Sequence, residues 1–566
     1  MTEPCALWVL LMRKFALGKL SAIEVQEVAM AAVKSGLESP EMKELQALGA
    51  LGHQPGNAHR DLMRKYFSNL ASPQPWNVRC SMMVKEEGHQ VNKEIETALM
   101  LPHLWVLTAQ ENNLLEAITC TGEELAVFWK SQMNSPQMTP ELEKMIQDAT
   151  PNQLPIPYVL HGDGAPFTEV DSVQVLSFRC LLSRRSVSEC QLLITAVPKL
   201  AMTKSTFKKV METVAWSWQA LFTGVCPKKD LQGQPVEANR GKRLRKGVCW
   251  SITGDLEWYC QEFGFPWASS NMVCPYCNAD QKKENSKYSY TDFRPTAAWR
   301  KTILSRDELQ SKFAGHPLWK APAVSIHSVK LDWLHTVDLG VAAYLHGSLL
   351  YSIMEKLPGQ DRLTQLNKDI TRHYDKLQIE AQKRLRSLSL SDIAESNEEY
   401  PCLKHQKAAK IRWFAPVAVE LAKEHNEGDK AGKHREAAAK ELAQLYTLLS
   451  CPWKEWGPHK HKDFQRGVEH MMSHYAWLAR DSMEHGLHLW SLVQKSHLIL
   501  HLGDQASMHP SLSWTYGSES YMGWIAQMAA SCTHGTPGHK VPLKVCQKFR
   551  LMFHLYLEGY MAMAED

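Results

Sequence analysis

The sequence predicts an α/β protein in which a sheet lies between helical regions. Three apolar runs rich in β-branched residues occupy 156–198 and are separated by polar turns, as expected for consecutive strands. An amphipathic helical pattern follows at 206–224, and a fourth apolar run at 247–255 ends on Gly-Asp. In the flanking regions apolar residues recur at three- and four-residue spacing, which indicates helices.

The composition is that of a globular protein. The chain has 566 residues, 44% of them hydrophobic and 22% charged, which is enough for several folded domains. The net charge of +4 is small, so contacts with nucleic acid would have to come from local basic patches. No run approaches the roughly 18 apolar residues of a membrane span, and fourteen cysteines in so long a chain do not indicate a secreted disulfide framework. We expect a soluble protein of a reducing compartment that makes no membrane contact.

Changes of composition along the chain divide it into four segments. A stretch rich in Pro, Ser, Asn and Gln at 131–157 marks the first boundary. Before it, residues 1–70 and 91–130 are both expected to be helical. After it, the order of strands and helices suggests an α/β sheet of ribonuclease H type. The segments are a helical region at 1–150, a first core part with a Cys-x-x-Cys insertion at 151–345, a helical region at 346–480 and a last core part at 481–566.

Three well-separated carboxylates are the leading catalytic residues. Asp163 ends the first strand in VLHGDG, and Asp255 ends the fourth in GVCWSITGD. Glu519 opens an apolar-periodic helical stretch, with Ser518 as its cap. Two divalent cations at one phosphodiester lie about 4 Å apart and take carboxylate oxygens as ligands. Carboxylates on two strands and a later helix can supply that geometry.

The residues around these acids leave alternatives open. Gly162 and Gly164 flank the first aspartate and Gly254 precedes the second, and such small residues would let a DNA backbone come close. A Gly-Asp pair is also a common turn. Other acids compete for the second and third positions, namely Glu257, Glu262, Glu484 and Asp504.

A pair of cysteines and a pair of histidines predict a structural zinc site. Cys274 and Cys277 have the spacing of two thiolates that share one tetrahedral ion. His497 and His501 lie one helical turn apart and so face the same way. The alternative is that the cysteines are buried thiols and the histidines are ordinary core or surface residues.

An Asp-x-x-His pair and a basic run complete the set. Asp332 could orient His335 by a hydrogen bond, either could line the active site, or the pair could be a capping aspartate and a satisfied histidine; Asp338 lies close enough to compete. The basic run precedes the fourth strand and is either a DNA contact or a solvated loop. Its five cations are Arg240, Lys242, Arg243, Arg245 and Lys246.

The ordered series Gly-Asp, Gly-Asp, Cys-x-x-Cys, Asp-x-x-His, His-x-x-x-His and Glu resembles the catalytic region of DDE/D transposases of the CACTA (CMC) superfamily, including the Plavaka-like fungal group. It is also distantly similar to the catalytic core of the V(D)J recombinase. The resemblance covers roughly residues 155–545. It implies an α/β fold with a ribonuclease H-like core that is interrupted by a large, mostly helical insertion before the final glutamate.

The resemblance also implies roles for the residues. Asp163, Asp255 and Glu519 would bind Mg²⁺ or Mn²⁺, and Asp332 and His335 would lie near the active site. The structural zinc ligands would be Cys274, Cys277, His497 and His501. The implied activity is nicking of DNA at element ends followed by attack of the freed 3′-hydroxyl on target DNA. The implied partners are transposon-end and target DNA and a second copy of the chain, and the implied location is the nucleus.

Two other classes of function remain open at this level. Residues 1–150 contain no DNA-binding zinc finger of the kind that transposases use to find their ends. This favours a domesticated, catalytically inactive protein that binds DNA or a partner. A zinc-stabilised helical interaction protein is the third class, and it would require the order of the three carboxylates to be accidental.

Overall fold

The computed structural model describes residues 4–66, 70–281, 286–394 and 399–559. The outermost residues of the predicted terminal segments, 1–3 and 560–566, lie outside this range. The protein is mixed α/β, with 54% of the chain helical and 12% in strands. The α/β class expected from the sequence is therefore confirmed.

The N-terminal region contains nine helices in its described residues, and a β-hairpin divides them. Five helices precede the hairpin: α1 (Ala6–Ala16), α2 (Ala22–Lys34), α3 (Pro40–Gln46), α4 (Leu48–Leu51) and α5 (Ala58–Tyr66). Four follow it: α6 (Pro102–Glu111), α7 (Leu115–Ile118), α8 (Gly122–Gln132) and α9 (Pro140–Gln147).

The hairpin corrects the prediction that residues 91–130 are helical throughout. Strands β1 (Trp76–Glu86) and β2 (His89–Leu99) pair antiparallel along their whole length. Glu87 and Gly88 form the turn, both with positive φ, which is the two-residue turn that matches the twist of a hairpin. The strands win over helix here because Glu-Gly supplies that turn and alternating residues of β1 are buried.

The central sheet has four strands in the order β5-β4-β3-β6. They are β3 (Ile156–Pro166), β4 (Ser172–Cys180), β5 (Leu192–Pro198) and β6 (Gly247–Thr253), as the four apolar runs predicted. The short helix α10 (Val187–Cys190) precedes β5, and α11 (Thr206–Thr223) connects β5 to β6. Neighbours pair antiparallel except β3 and β6, which are parallel. All seven residues of β5 and of β6 are buried, so helices or loops cover both faces of these strands.

A mostly irregular segment follows β6. Its described residues, 254–281 and 286–333, contain α12 (Leu256–Phe263), α13 (Arg306–Lys312) and short 3₁₀ turns. A π-helix at Leu334–Ala342 then runs directly into α14 (Ala343–Lys356). The combined stretch Leu334–Lys356 is long and apolar enough to cross a membrane, but 78% of its most apolar window is buried inside the protein. Its burial is that of a core helix.

Most of the remaining described residues are helical. Those of the predicted helical region are α15 (Arg362–Lys376), α16 (Ala408–Glu424), α17 (Lys430–Leu448) and α18 (Pro458–Glu484). The last three are α19 (Gln494–Gln505), α20 (Tyr516–Ser531) and α21 (Val541–Leu557). Helix α20 begins three residues before Glu519, so Ser518 is not its cap but a buried residue of its first turn. Buried apolar side chains from all these segments form one contiguous core.

Candidate active site and metal centre

Asp163 and Asp255 lie beside each other, where the pairing of β3 with β6 ends. The prediction that Asp163 ends its strand is wrong, because β3 stays paired with β4 as far as Pro166, whereas Asp255 follows the end of β6. The parallel pairing of β3 and β6 ends with His161 opposite Thr253, and each aspartate follows its strand's residue by two positions. Asp255 caps α12, because its Oδ1 accepts a hydrogen bond of 2.6 Å from Trp258 N. Asp163 is 8% exposed and its Oδ1 accepts from Gly164 N at 2.6 Å. The sheet register therefore brings two of the three predicted carboxylates together.

Glu519 reaches the same place from helix α20, which packs on β3 and β4. Its Oε1 lies 3.3 Å from His335 Nε2, and its side chain is 41% exposed. The negative charge of Glu519 acts on Asp163, as does that of Asp255. The charges of three carboxylates from separate parts of the chain thus act in one region of the protein.

The electrostatics of this site favour a bound cation. Burial raises the pKa of Asp163 to about 7, and the charges of Asp255 and Glu519 add to the rise. A carboxylate held among like charges is stabilised when a divalent cation joins the group, since the cation offsets both the repulsion and the lost hydration. The carboxylate oxygens are also the ligand type that Mg²⁺ and Mn²⁺ prefer.

Asp332 fixes both His335 and the helix of Glu519. Its Oδ2 lies 2.8 Å from His335 Nδ1 and accepts from His335 N at 2.9 Å. Its two oxygens also accept from Thr515 N at 3.0 Å and Thr515 Oγ1 at 2.8 Å, immediately before α20. Asp332 is therefore both the capping residue and the orienting residue that the sequence left as alternatives.

His335 joins Asp332 to Glu519 as a positive group. Burial by itself lowers the pKa of His335, but the hydrogen bonds with Asp332 and Glu519 outweigh burial and raise it to about 10. The imidazolium thus holds the Glu519 carboxylate by charge as well as by geometry. Asp332 and His335 thus lie beside the carboxylates, where the sequence predicted them.

Two further polar residues belong to this site. Asp338 is fully buried in the π-helix and accepts hydrogen bonds from Tyr446 at 2.6 Å and from Tyr516 in the first turn of α20. His161 lies two residues before Asp163 on β3, so both side chains point to the same face. His161 was not predicted, although its spacing from Asp163 was the signal that could have identified it.

The glycines beside the aspartates have a different role from the predicted one. A Cβ on Gly162 would stand 2.0 Å from the Trp258 ring, and one on Gly254 would stand 2.5 Å from it. The indole therefore occupies the space that was expected to admit a DNA backbone at these two positions. At Gly164 the nearest group is Lys199 Nζ at 3.0 Å. The glycines at 162 and 254 are needed for packing of α12 under the sheet edge.

Replacing Gly162 with alanine is expected to destabilise the fold by about 3 kcal/mol, because the methyl group and the buried indole of Trp258 cannot both fit. Urea denaturation followed by circular dichroism measures this. Gly523→Ala is the matched control, because Gly523 is an exposed residue of helix α20 with no atom within 4 Å of the new Cβ, and the substitution should stabilise slightly. Equal midpoints for wild type and Gly162→Ala would contradict the packing role.

The competing acids have other surroundings. Glu262 Oε2 lies 3.7 Å from His316 Nε2, and Asp504 Oδ2 lies 3.8 Å from His501 Nδ1. Glu257 is exposed and accepts from Gln261 on the same helix, and Glu484 ends α18 at the wall of a cavity between helices. The acids whose charges raise the pKa of Asp163 are Asp255 and Glu519.

The cysteine and histidine pairs meet in a second, fully buried cluster. One ligand atom from each of the four residues lies within 4.8 Å of the other three, and the cluster consists of Cys274, Cys277, His497 and His501. Cys277 Sγ is 3.3 Å from His497 Nε2, and the two imidazole Nε2 atoms are 3.2 Å apart. This cluster could hold a metal ion such as zinc.

The surroundings of the cluster suit a metal thiolate centre. The hydrogen bond from Cys274 is the largest of the effects that lower the pKa of Cys277, and hydrogen bonds with His497 and His501 add to it, whereas burial raises the pKa of Cys274. Burial lowers the pKa of His497 and keeps its ring neutral, as a metal ligand must be. Gln494 Nε2 donates to Val273 O at 2.7 Å and so ties helix α19 to the cysteine loop. The fold thus brings the cysteine pair to the histidine pair, although more than 200 residues separate them in the chain.

The basic run lies at the opposite end of β6 from Asp255. It precedes Gly247, whereas Asp255 follows Thr253, so seven strand residues of about 3.3 Å each separate the two ends. Lys242 Nζ pairs with Glu111 at 2.6 Å, and Arg245 is half-buried. The other three cations, Arg240, Arg243 and Lys246, are exposed. The run is accessible to a partner but remote from the carboxylates.

No model of a known protein family matches this sequence, and no curated protein matches it significantly. The function is therefore argued from the site itself.

Proposed function

We propose that the protein is a DDE-type DNA nuclease and strand transferase that uses two divalent cations. The observation that carries this proposal is the convergence of Asp163, Asp255 and Glu519 from two strands and a distant helix. Turns or caps alone would not bring three carboxylates to one partly open site at the cost of raising the pKa of one of them.

The sheet supports a ribonuclease H-like core. Three antiparallel strands followed by a crossover helix and a parallel fourth strand fit that class, with the first aspartate on β3 and the second after β6. Along the chain, helices α14 to α18 come after the strands of the sheet and before the helix of Glu519. This order fits a large helical insertion. This order of elements agrees with the CACTA-type transposase that the sequence resembles.

The proposed chemistry is in-line displacement at phosphorus. Asp163, Asp255 and Glu519 would hold Mg²⁺ or Mn²⁺, which supplies Lewis-acid activation of the attacking oxygen and stabilises charge at phosphorus. In nicking, a water oxygen bonds to phosphorus as the bond to O3′ breaks and O3′ leaves as a hydroxyl. In strand transfer, that 3′-hydroxyl attacks a phosphodiester of target DNA and releases a new 3′-hydroxyl.

The chain's own residues set the geometry for this reaction. His335, oriented by Asp332, holds Glu519 in place, while Thr515 and Tyr516 fasten the start of α20 to Asp332 and Asp338. The Trp258 ring packs against Gly162 and Gly254, the residues that precede the two aspartates. We further propose Zn²⁺ in the cluster of cysteines and histidines, DNA ends and target DNA as partners, a homo-oligomeric assembly and a nuclear location.

The test is cleavage of labelled DNA by the purified protein with Mg²⁺ or Mn²⁺. We expect metal-dependent nicking that Asp255→Asn reduces by about 10³-fold, because the variant loses a ligand charge. Glu257→Gln is the matched control, since this acid is exposed on the same helix two residues further on and should leave cleavage unchanged.

The opposite result has a clear meaning. Salt-sensitive DNA binding without cleavage, on substrates that include a range of terminal sequences, would favour the domesticated, binding-only alternative. Absence of both cleavage and DNA binding would leave the zinc-stabilised interaction protein as the better description.

A further inference from the structure

A cavity of about 350 Å³ lies beside the basic run, at the end of β6 remote from the carboxylates. Its walls are largely apolar and come from two parts of the chain. Trp76 and Leu104 lie on β1 and α6, while Pro227 and Val236 belong to the loop that carries the basic run. A volume near the lower end of small-ligand sites and apolar walls with few polar groups are typical of a pocket for one small planar ligand.

One polar group in this cavity is positioned to read a ligand. His103 lines the cavity and is 2% exposed. Its Nδ1 lies 2.8 Å from Ser217 Oγ, and the same Oγ accepts from His103 N at 3.0 Å. With the Ser217 hydroxyl as the donor to Nδ1, the neutral ring would carry its proton on Nε2. Among the described residues none bonds to that Nε2, so this nitrogen is left to form a hydrogen bond with a ligand.

Aromatic surface and positive charge surround the same cavity. The half-buried Trp76 packs against Trp216 with ring centroids 5.6 Å apart, and Trp216 meets the His103 ring edge-on at 5.2 Å. Residues 226–246 contain seven lysines and arginines and only two acids. Arg240 and Arg243 are exposed there. The cavity thus offers an aromatic surface and a hydrogen-bonding ring nitrogen, and the exposed Arg240 directly follows its lining residue Asn239 in the chain.

The loop that carries these charges is already ordered. Cys226 N donates to Lys242 O at 2.9 Å, Leu244 N to Gly224 O at 2.8 Å and Val236 N to Lys228 O at 3.0 Å. These bonds tie the loop to itself, so little ordering cost would be added when a ligand binds.

We propose that this cavity binds a nucleotide, with the base stacked on Trp76 and accepting a hydrogen bond from His103, and the phosphate on Arg240 and Arg243. The base is either that of a free nucleotide or an unpaired base of a DNA strand, because a paired base is stacked inside its duplex and cannot enter. If the ligand is an unpaired base of DNA, the inference rests on the proposed function, which says that the protein binds DNA. The site would then contact DNA about 20 Å from the cleaved phosphodiester, the length of β6.

The experiment measures binding of fluorescein-labelled DNA by anisotropy with the full chain in buffer without added Mg²⁺ or Mn²⁺, so that its outcome does not depend on cleavage and the buried cluster keeps its metal. The probes are a duplex with one unpaired adenosine in the middle and a fully paired duplex of the same sequence, with dAMP as competitor. Wild type should bind the duplex with the unpaired base about 10-fold more tightly than the paired one. If dAMP abolishes this preference at micromolar concentration, the free nucleotide is the source of the ligand.

Two variants separate the parts of the site. Trp76→Leu should remove the preference and keep the affinity for paired DNA, which also shows that the variant is folded. Arg240→Gln with Arg243→Gln should weaken binding of both duplexes and lower the slope of log K against log salt by about 2. Lys34→Gln with Lys43→Gln, two exposed lysines of the N-terminal helices, is the matched control and should change neither.

Equal affinity of wild type for the two duplexes, with no effect of dAMP, would overturn the proposal. A preference that persists in Trp76→Leu would overturn it as well. Loss of cleavage in the nuclease assay would leave this result untouched, so the two proposals fail independently.

Discussion

Replacing Asp163 with asparagine is expected to abolish metal-dependent cleavage and, in metal-free buffer, to stabilise the folded protein. Cleavage should fall by about 10³-fold or more. The charges of both Asp255 and Glu519 act on Asp163, and a neutral amide cannot replace the charge that Asp163 would offer to a metal ion. The gain in stability follows from the same electrostatics, since the amide removes a buried negative charge from between two others.

The stabilisation has a defined pH dependence. The pKa of Asp163 is about 7 in the folded protein and near its usual value of 3.8 when unfolded. The folded state therefore binds the proton more tightly, and wild type loses stability as the pH rises from about 4 to about 7. Asp163→Asn lacks this loss and should be more stable at pH 8 by up to about 4 kcal/mol in EDTA.

Thermal and urea denaturation in EDTA at pH 5 and pH 8 would measure the difference. Glu169→Gln, an exposed acid after the same strand, is the control that should change neither stability nor cleavage. Stability of Asp163→Asn below that of wild type at pH 8 would show that this carboxylate is not held among like charges. Full cleavage by the variant would exclude it as a metal ligand.

Removing the metal of the buried cluster is expected to have the largest effect on stability. Purified protein should contain about one zinc per chain, and Cys277→Ser should lose it. The free energy of unfolding should fall by about 4 kcal/mol, which is the stabilisation given by an ion present at about 1,000 times its Kd. The cluster joins the cysteine loop to α19, so its loss frees both elements at once.

Elemental analysis and thermal denaturation with and without a chelator would test this. Cys260→Ser is the matched control, because Cys260 lies outside the cluster and its hydrogen bond to Pro266 O can be made by serine. A metal-free wild-type protein whose melting temperature does not respond to added zinc or to chelator would contradict the metal site.

Local sequence patterns predicted the sheet because each strand has its own signal. The four apolar runs contain few alternatives to buried strands, and the Gly-Asp after the fourth run indicated the end of β6, whereas Asp163 lies inside β3. The hairpin at 76–99 was missed because its second strand is exposed over most of its length and its sequence lacks an apolar alternation. A signal was present in Glu87-Gly88, a dipeptide suited to a two-residue turn.

The site was predicted in part, as a list of residues without their mutual arrangement. Spacing alone grouped Cys274 with Cys277 and His497 with His501, since each pair lies within one turn or helix. The role of Asp332 stayed open because only one of its partners, His335, is near it in the chain. The other, Thr515, comes from a distant segment. The purpose of Gly162 could not be inferred, because Trp258 lies almost one hundred residues away in the chain.

The sequence by itself determined the strands of the central sheet and the acidic, cysteine and histidine residues of the two sites. It also paired those residues that lie close together in the chain. Only the tertiary structure decided that Glu519 rather than Glu484 or Asp504 joins the two aspartates, and that the cysteine pair meets the histidine pair. The physical reason is range: propensity and periodicity act over a few residues, whereas the field at Asp163 and the burial of four ligands depend on packing between segments hundreds of residues apart.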